Sequence, residues 1–347
     1  MIIRLPLIIF CLITVSICHG QNLKSPEDNR FQKIIDTTIT KARELSLYSD
    51  SVNWYEIEKA MSKIASEAKQ SSDLKPAFEL MLNELGDYHG AIRRASDYSN
   101  FARMTDVKNS RKKDNRNYDQ KTGRIVNNPD ARFSYKILPN NIGYLNVVGV
   151  GPNVDGQSEA NRIRKALIEF HGENVDKWII DLRYNGGGNV NVMLSGLAPL
   201  LNTEKVLTIR DLNNKVLAYA EIKNGNFAYY GYQAFEMDDE PDIKNPKVAI
   251  LMSRWTVSSG EFVAVAFKGQ DNTRFFGEET GGYTTNTSWD SIAEEFILSI
   301  TTGIYSDRDG NLYPDNVPPD EKITFVVEND TKKDTMIHAA REWLMDE

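Results

Sequence analysis

From Phe133 onward the chain alternates short apolar runs with helical patterns, and this alternation constrains its fold more than any other feature. Apolar runs too continuous for a one-sided sheet must be buried on both faces, and the helices between them supply the cover, so the pattern predicts an α/β layer fold. Strands are expected at Ile142–Val148, Trp178–Leu182, Val206–Arg210, Val216–Ile222, Val248–Met252 and Phe296–Ile300. Helices are expected at Ala160–Phe170, Val190–Leu201 and Glu261–Lys268, with Thr335–Met345 closing the chain. No segment repeats at a fixed period, which leaves solenoids and propellers unsupported.

The chain ahead of that core reads differently. Phe31, Ile34, Ile35, Ala42 and Leu45 recur at helical spacing, as do Ile57, Ala60, Met61, Ile64 and Ala65, and then Phe78, Leu80, Met81 and Leu85. Residues 21–100 are therefore expected to form a helical N-terminal domain. Residues 101–132, with the charged run from Lys108 to Arg116, are expected as a solvated linker, and residues 133–347 as the core. Residues 1–20 carry Arg4, an apolar stretch from Leu5 to Ile17 and then Cys18-His19-Gly20, the pattern of a secretory signal cut before Gln21. That stretch is shorter than the roughly 20 apolar residues a spanning helix needs. An exported protein is expected, periplasmic or secreted, with no membrane span after cleavage.

Composition narrows the chemistry. The only two cysteines, Cys11 and Cys18, lie in the signal segment, so neither a disulfide framework nor a thiol nucleophile is expected. Lipid attachment at Cys18 is disfavoured by the bulky Ile17 before it. With 49 acidic against 41 basic side chains and a net charge of −8, the chain lacks the basic excess of a nucleic-acid surface. No His-Glu-x-x-His pattern or comparable ligand set occurs, so no metal or other cofactor is expected.

Four segments could carry chemistry. Asp181-Leu-Arg-Tyr-Asn-Gly-Gly-Gly188 joins an apolar strand to a helix, and its glycines free the backbone to aim N–H groups at an anion. It lacks the G-x-G-x-x-G and G-K-[ST] patterns of nucleotide loops, and a plain tight turn explains it equally. Ser258-Ser259-Gly260-Glu261 stands between a buried strand and an apolar helix, where a hydroxyl gains from the helix field. Ser258 and Glu261 also form an S-x-x-E capping box, a purely structural alternative. A serine nucleophile needs a base, and beyond the signal the histidines are His89, His171 and His338. His171 suits a helix C-terminus and His338 a helix face, whereas His89 sits in the break Leu85-Gly-Asp-Tyr-His-Gly90 that no helix face claims. The fourth segment is the Gly- and Thr-rich stretch Phe276–Asn286, a functional loop or a simple connection.

Taken in order, Ile142-Gly-Tyr-Leu, Asp181–Gly188, Ser258–Glu261, Gly277-Glu-Glu-Thr-Gly-Gly282 and Pro319-Asp320 resemble the C-terminal processing peptidases, or tail-specific proteases, and especially the branch of the tricorn core. The resemblance implies a crotonase-like ββα core and peptide-bond hydrolysis through an acyl-enzyme. It puts Ser258 at the nucleophile, the backbone of Gly187, Gly188 and Ser259 at the oxyanion hole, and Gly281, Gly282 and Tyr283 against the substrate. Tyr283 replaces the lysine of the Ser-Lys branch, and a phenol with a pKa near 10 is a poor base. Lys268 would lie about 15 Å along its helix from Ser258. The tricorn-like Leu-Gly-Asp-x-His segment instead implies His89 as base, with Tyr88 where that relative has a serine, and Asp315 is taken as the third member of the triad. The segment Ala91–Asn141 is too short for a PDZ domain of about 90 residues, so none is expected. A non-catalytic ligand- or peptide-binding protein on the same fold, or a hydrolase of small esters or amides, is the alternative.

Overall fold

A computed structural model describes residues 26–106, 131–237, 241–327 and 332–346, together with 110, 111, 120, 123 and 330. The expected signal and most of the expected linker lie outside these residues. The chain forms helices α1 (Pro26–Leu45), α2 (Trp54–Glu67) and α3 (Lys75–Leu85), then a hairpin of β1 (Ala91–Arg94) and β2 (Asn100–Arg103). β3 (Ser134–Leu138), β4 (Ile142–Asn146), α4 (Gly156–Gly172), β5 (Lys177–Asp181) and α5 (Val190–Leu197) follow. Next come β6 (Lys205–Arg210), β7 (Val216–Lys223), β8 (Asn226–Tyr229), β9 (Lys247–Met252) and α6 (Ser259–Phe267). The remainder is β10 (Thr273–Gly277), β11 (Thr285–Ser291), β12 (Phe296–Asp307), β13 (Glu321–Lys322) and α7 (Thr335–Met345).

The strands form two sheets. One, ordered β13-β10-β9-β5-β4-β3, is parallel except for the antiparallel β3–β4 edge. Its central strands explain their own composition: in β5, Trp178 and Ile180 face a core with α4, α5 and α6, while Ile179 faces α7 through Met336, Ile337 and Leu344. Consecutive apolar residues are what a strand covered on both faces requires. The second sheet is antiparallel, ordered β2-β1-β12-β6-β7-β8, with β11 also paired to β12. It meets the first core through Leu207, Ala220 and Phe227.

α1 to α3 share a hydrophobic core with β1, β2 and β12, in which the rings of Phe78 and Phe296 meet edge-on at 5.5 Å. Residues 101–103, the start of the stretch expected as linker, are the end of β2 and belong to the antiparallel sheet. β12 is the longest strand and holds β1 along one stretch, β11 along most of its length and β6 at its end. It thereby places the chain around residue 89 beside the chain around residue 285.

Candidate active site

In open parallel sheets functional groups gather beyond the carboxyl ends of the strands, where helix N-termini converge. β5 and β9 are neighbours here, and beyond their ends lie the glycine turn after Asp181 and the Ser258 elbow before α6. Three long-range hydrogen bonds join the two connections: Ser253 Oγ donates to the Arg183 carbonyl (2.7 Å), Thr256 Oγ1 to that of Leu182 (2.8 Å) and Val257 N–H to that of Asn185 (3.0 Å). Beneath the turn, Arg183 bridges Asp181 and Asp334 at 2.7 Å each, all three side chains buried, which ties the turn to the N-cap of α7. A buried ion pair holds geometry more surely than it adds stability.

Ser258 has φ 54 and ψ −120, a backbone that a non-glycine residue holds only when its surroundings impose it. Glu261 is central to that constraint. Its fully buried carboxylate accepts from Ser258 N–H (2.8 Å), Tyr283 N–H (2.7 Å), Gly282 N–H (2.7 Å) and Thr280 Oγ1 (2.5 Å). Burial lifts its pKa to about 7, against the pull of these four donors. The capping-box residue is thus the common anchor of the elbow and the 280–283 loop.

Ser258 Oγ lies 3.1 Å from His89 Nε2. The other ring nitrogen, Nδ1, lies 2.8 Å from Thr285 Oγ1. If Nδ1–H donates to Thr285, Nε2 is left bare and accepts from the Ser258 hydroxyl, the tautomer a general base needs. The ring also packs edge-on against Tyr283 at 5.1 Å between centroids. The backbone carrying His89 is fixed by Asp87, which is fully buried and accepts from the N–H groups of His89 (3.2 Å) and Gly90 (2.8 Å) and from Thr301 N–H (2.9 Å) and Oγ1 (2.7 Å). Burial raises the Asp87 pKa. Thr301 is in β12, so Asp87 fastens the histidine loop to the central strand of the antiparallel sheet.

The glycine turn and the start of α6 each supply one donor. Gly187 and Gly188 have φ 95 and 109. Gly187 C=O accepts from Val150 N–H at 3.0 Å, so across the same trans peptide the Gly188 N–H points the opposite way, toward the cleft. Ser258 C=O accepts from Glu261 and Phe262 inside α6, so Ser259 N–H points out of the helix end. Neither N–H has a hydrogen-bond partner among the described residues, and both residues line one cleft of about 790 Å³ with His89, Ser258 and Tyr283. Ser259 Oγ holds the Gly188 carbonyl at 2.6 Å.

Three sequence expectations need correction. Gly187 N–H donates to Asn185 Oδ1 (2.9 Å) and is not free for an oxyanion. Gly187 acts by lacking a side chain, since a Cβ there would stand 2.9 Å from Ser258 Cβ. Asp315 is exposed and makes no hydrogen bond to His89; the ring's outer nitrogen faces Thr285 instead. The N–H groups of Gly281 and Gly282 are taken by Thr256 O (2.8 Å) and Glu261, which leaves only Tyr283 of that trio lining the cleft. Lys268 donates to the Pro318 carbonyl at 2.9 Å, away from Ser258. Asn185, Thr285 and Asp87 were not singled out from sequence. Each lies inside a segment the sequence marks, Asn185 in Asp181–Gly188, Asp87 in Leu85–Gly90 and Thr285 in Phe276–Asn286, but the roles of Asp87 and Thr285 exist only across sheet partners.

A model of peptidase family S41 matches residues 141–323, more than half of the chain. A nisin-resistance protein of Lactococcus lactis subsp. lactis is 26% identical over 313 residues, covering 90% of this chain and 86% of that protein. Among solved structures, a lipoprotein from Streptococcus agalactiae superposes with a TM-score of 0.64 at 21% identity, covering 93% of this chain and 97% of the other. The photosystem II D1 C-terminal processing protease superposes with a TM-score of 0.57 at 14% identity, covering 91% and 98%. These two share the mixed α/β fold. The matched segment spans β4 through β13 and so holds both the glycine turn and the serine elbow, and on that match the chain belongs to peptidase family S41.

Proposed function

We propose that this protein is an exported serine peptidase that cleaves peptide bonds through an acyl-enzyme, on a crotonase-like core of the tricorn-like branch without a PDZ domain. Ser258 Oγ attacks the scissile carbonyl as His89 Nε2 takes its proton. The tetrahedral oxyanion is received by the Gly188 and Ser259 N–H groups at the positive end of α6. His89 then gives the proton to the leaving amine, and a water activated by the same ring hydrolyses the ester. Thr285 orients the ring as a neutral partner, so the imidazolium is stabilised less than it would be by a carboxylate.

The observation that carries this reading is the 3.1 Å approach of His89 Nε2 to a serine held at positive φ beside two amides unpartnered among the described residues. Export rests on the signal pattern of residues 1–20 and on kinship with proteins named for nisin resistance and as a lipoprotein. No helix among the described residues is long and apolar enough to cross a membrane.

The test is mass-spectrometric analysis of products after incubating the purified protein with a diverse peptide mixture that includes nisin. Cleavage by the wild-type protein and none by Ser258→Ala is expected. Equal cleavage by both, or intact peptides throughout, contradicts the reading.

A further inference from the structure

In the proposed reaction His89 Nε2 takes a proton from Ser258 Oγ and delivers it to the leaving amine, so the imidazole must keep its aim between two stations. Its Nδ1 contact with Thr285 Oγ1 (2.8 Å) can persist throughout. Its Nε2 contact with Ser258 Oγ (3.1 Å) is spent once that oxygen bonds to the substrate carbon. A single remaining hydrogen bond is a pivot, and the terminal torsion of a histidine side chain is broad. Burial does not supply the missing restraint, since His89 is only half-buried and lines a cleft of about 790 Å³.

Tyr283 stands where that restraint is needed. Its ring meets the imidazole at 5.1 Å between centroids and 77° between planes, and meets the Tyr88 ring at 5.5 Å and 67°. Edge-to-face pairs at these separations favour a defined mutual orientation. Tyr88 and His89 are consecutive, so the loop that Asp87 clamps to β12 presents two rings to Tyr283. The backbone of Tyr283 is fixed as well. Its N–H donates to Glu261 Oε2 at 2.7 Å, the same oxygen that accepts from Ser258 N–H at 2.8 Å. One residue on, the Thr284 carbonyl accepts from Tyr305 N–H in β12 at 3.1 Å. Tyr283 and Thr285, two residues apart at the entry to β11, thus both bear on the imidazole from an anchored stretch of chain.

We infer that Tyr283 is a positioning residue for His89: its ring, braced by Tyr88, fixes the tilt of the imidazole during proton transfer, and its main chain ties that ring to the carboxylate that sets the Ser258 elbow. This rests on the hydrolytic reading above. The role belongs to the aromatic ring and not to the phenol, which takes no proton in it. Glu261 then governs both partners of the reaction, Ser258 through its own N–H and His89 through Tyr283.

The experiment compares wild type, Tyr283→Leu and Tyr283→Phe by steady-state peptide hydrolysis, by the rate of fluorophosphonate labelling at Ser258, and by the imidazole nitrogen resonances of His89 in NMR. Leucine keeps the main-chain bond to Glu261 and removes the ring. Its kcat and labelling rate should fall roughly 10- to 100-fold with KM little changed, as for a misplaced reacting group. Its His89 nitrogens should report mixed tautomers where wild type shows one. Phenylalanine, which restores the ring, should recover most of both rates. In a His89→Ala background Tyr283→Leu should change nothing further, because Tyr283 acts through that imidazole. A raised KM with unchanged kcat and labelling would mark a substrate contact and overturn the inference. So would an equal loss with His89 absent, or a Phe variant as slow as Leu. If wild type neither cleaves nor labels, the hydrolytic reading falls, and the nitrogen resonances still decide the positioning: altered by Tyr283→Leu they uphold it, unaltered they overturn it.

Discussion

The serine half and the histidine half of the site are held in different ways. Ser258 stands between two connections that leave adjacent parallel strands, and the partners of its elbow, Asn185 through Val257 and Glu261 through Ser258 itself, come from segments next to it in the sheet or in the helix it opens. His89 is held at long range, by Asp87 clamped to Thr301 in β12 and by Thr285 in β11. The proposed nucleophile is thus a property of the parallel sheet, whereas the proposed base depends on the antiparallel sheet keeping its station against it. Damage to one half should leave a recognisable signature of the other.

The largest effects remove the reacting groups. Ser258→Ala and His89→Ala should each lower kcat/KM by roughly 10⁴-fold or more, with the double variant little worse than either, because such groups act as a unit. Steady-state peptide hydrolysis checks this, and a His89→Ala rate within tenfold of wild type would break the division into two halves. Asp87→Ala comes next. It leaves the buried N–H groups of Thr301 and Gly90, and the half-buried one of His89, without their acceptor and should cost about 2–4 kcal/mol, read by urea unfolding. The glycine turn and the Ser258 elbow should be unaffected, since Asp87 makes no hydrogen bond to either.

Smaller effects sharpen the comparison. Thr285→Val keeps the shape and deletes the hydroxyl opposite Nδ1; kcat should fall roughly 10-fold with KM little changed, and Thr285→Ser should restore it. The smallest concerns Glu261. An ordinary glutamate ionises near 4.5 and the buried one at about 7, so the unfolded chain sheds this proton first. Stability must then fall as pH rises across that interval and level off above it. Activity should move the other way, because only the ionised carboxylate accepts from all four donors. Melting temperatures and rates of wild type and Glu261→Gln between pH 4.5 and 8 test both signs.

What the sequence discloses follows the same division. The parallel sheet is legible because strands such as β5 and β9 are apolar throughout, and the predicted Trp178–Leu182 and Val248–Met252 lie within one residue of the observed bounds. Ser258 and the glycine turn are legible because each is a local motif. The antiparallel edge is not. β1 reads Ala-Ile-Arg-Arg and β11 is polar but for Trp289, so neither shows the alternation that marks a strand, and both owe their conformation to pairing with β12. Thr285 lies within the marked stretch Phe276–Asn286, but its role against the His89 ring is illegible for that reason. Asp315 fails on the same ground, since a carboxylate's position in a chain says nothing of which sheet edge it reaches.

The central claim is that His89 makes Ser258 reactive. Mapping the adduct of a fluorophosphonate probe on the intact protein by mass spectrometry, with its rate of formation, tests this most directly. A single adduct on Ser258 that forms at least about 10³-fold more slowly in His89→Ala is predicted. An adduct on another serine, or labelling of His89→Ala at the wild-type rate, would contradict it.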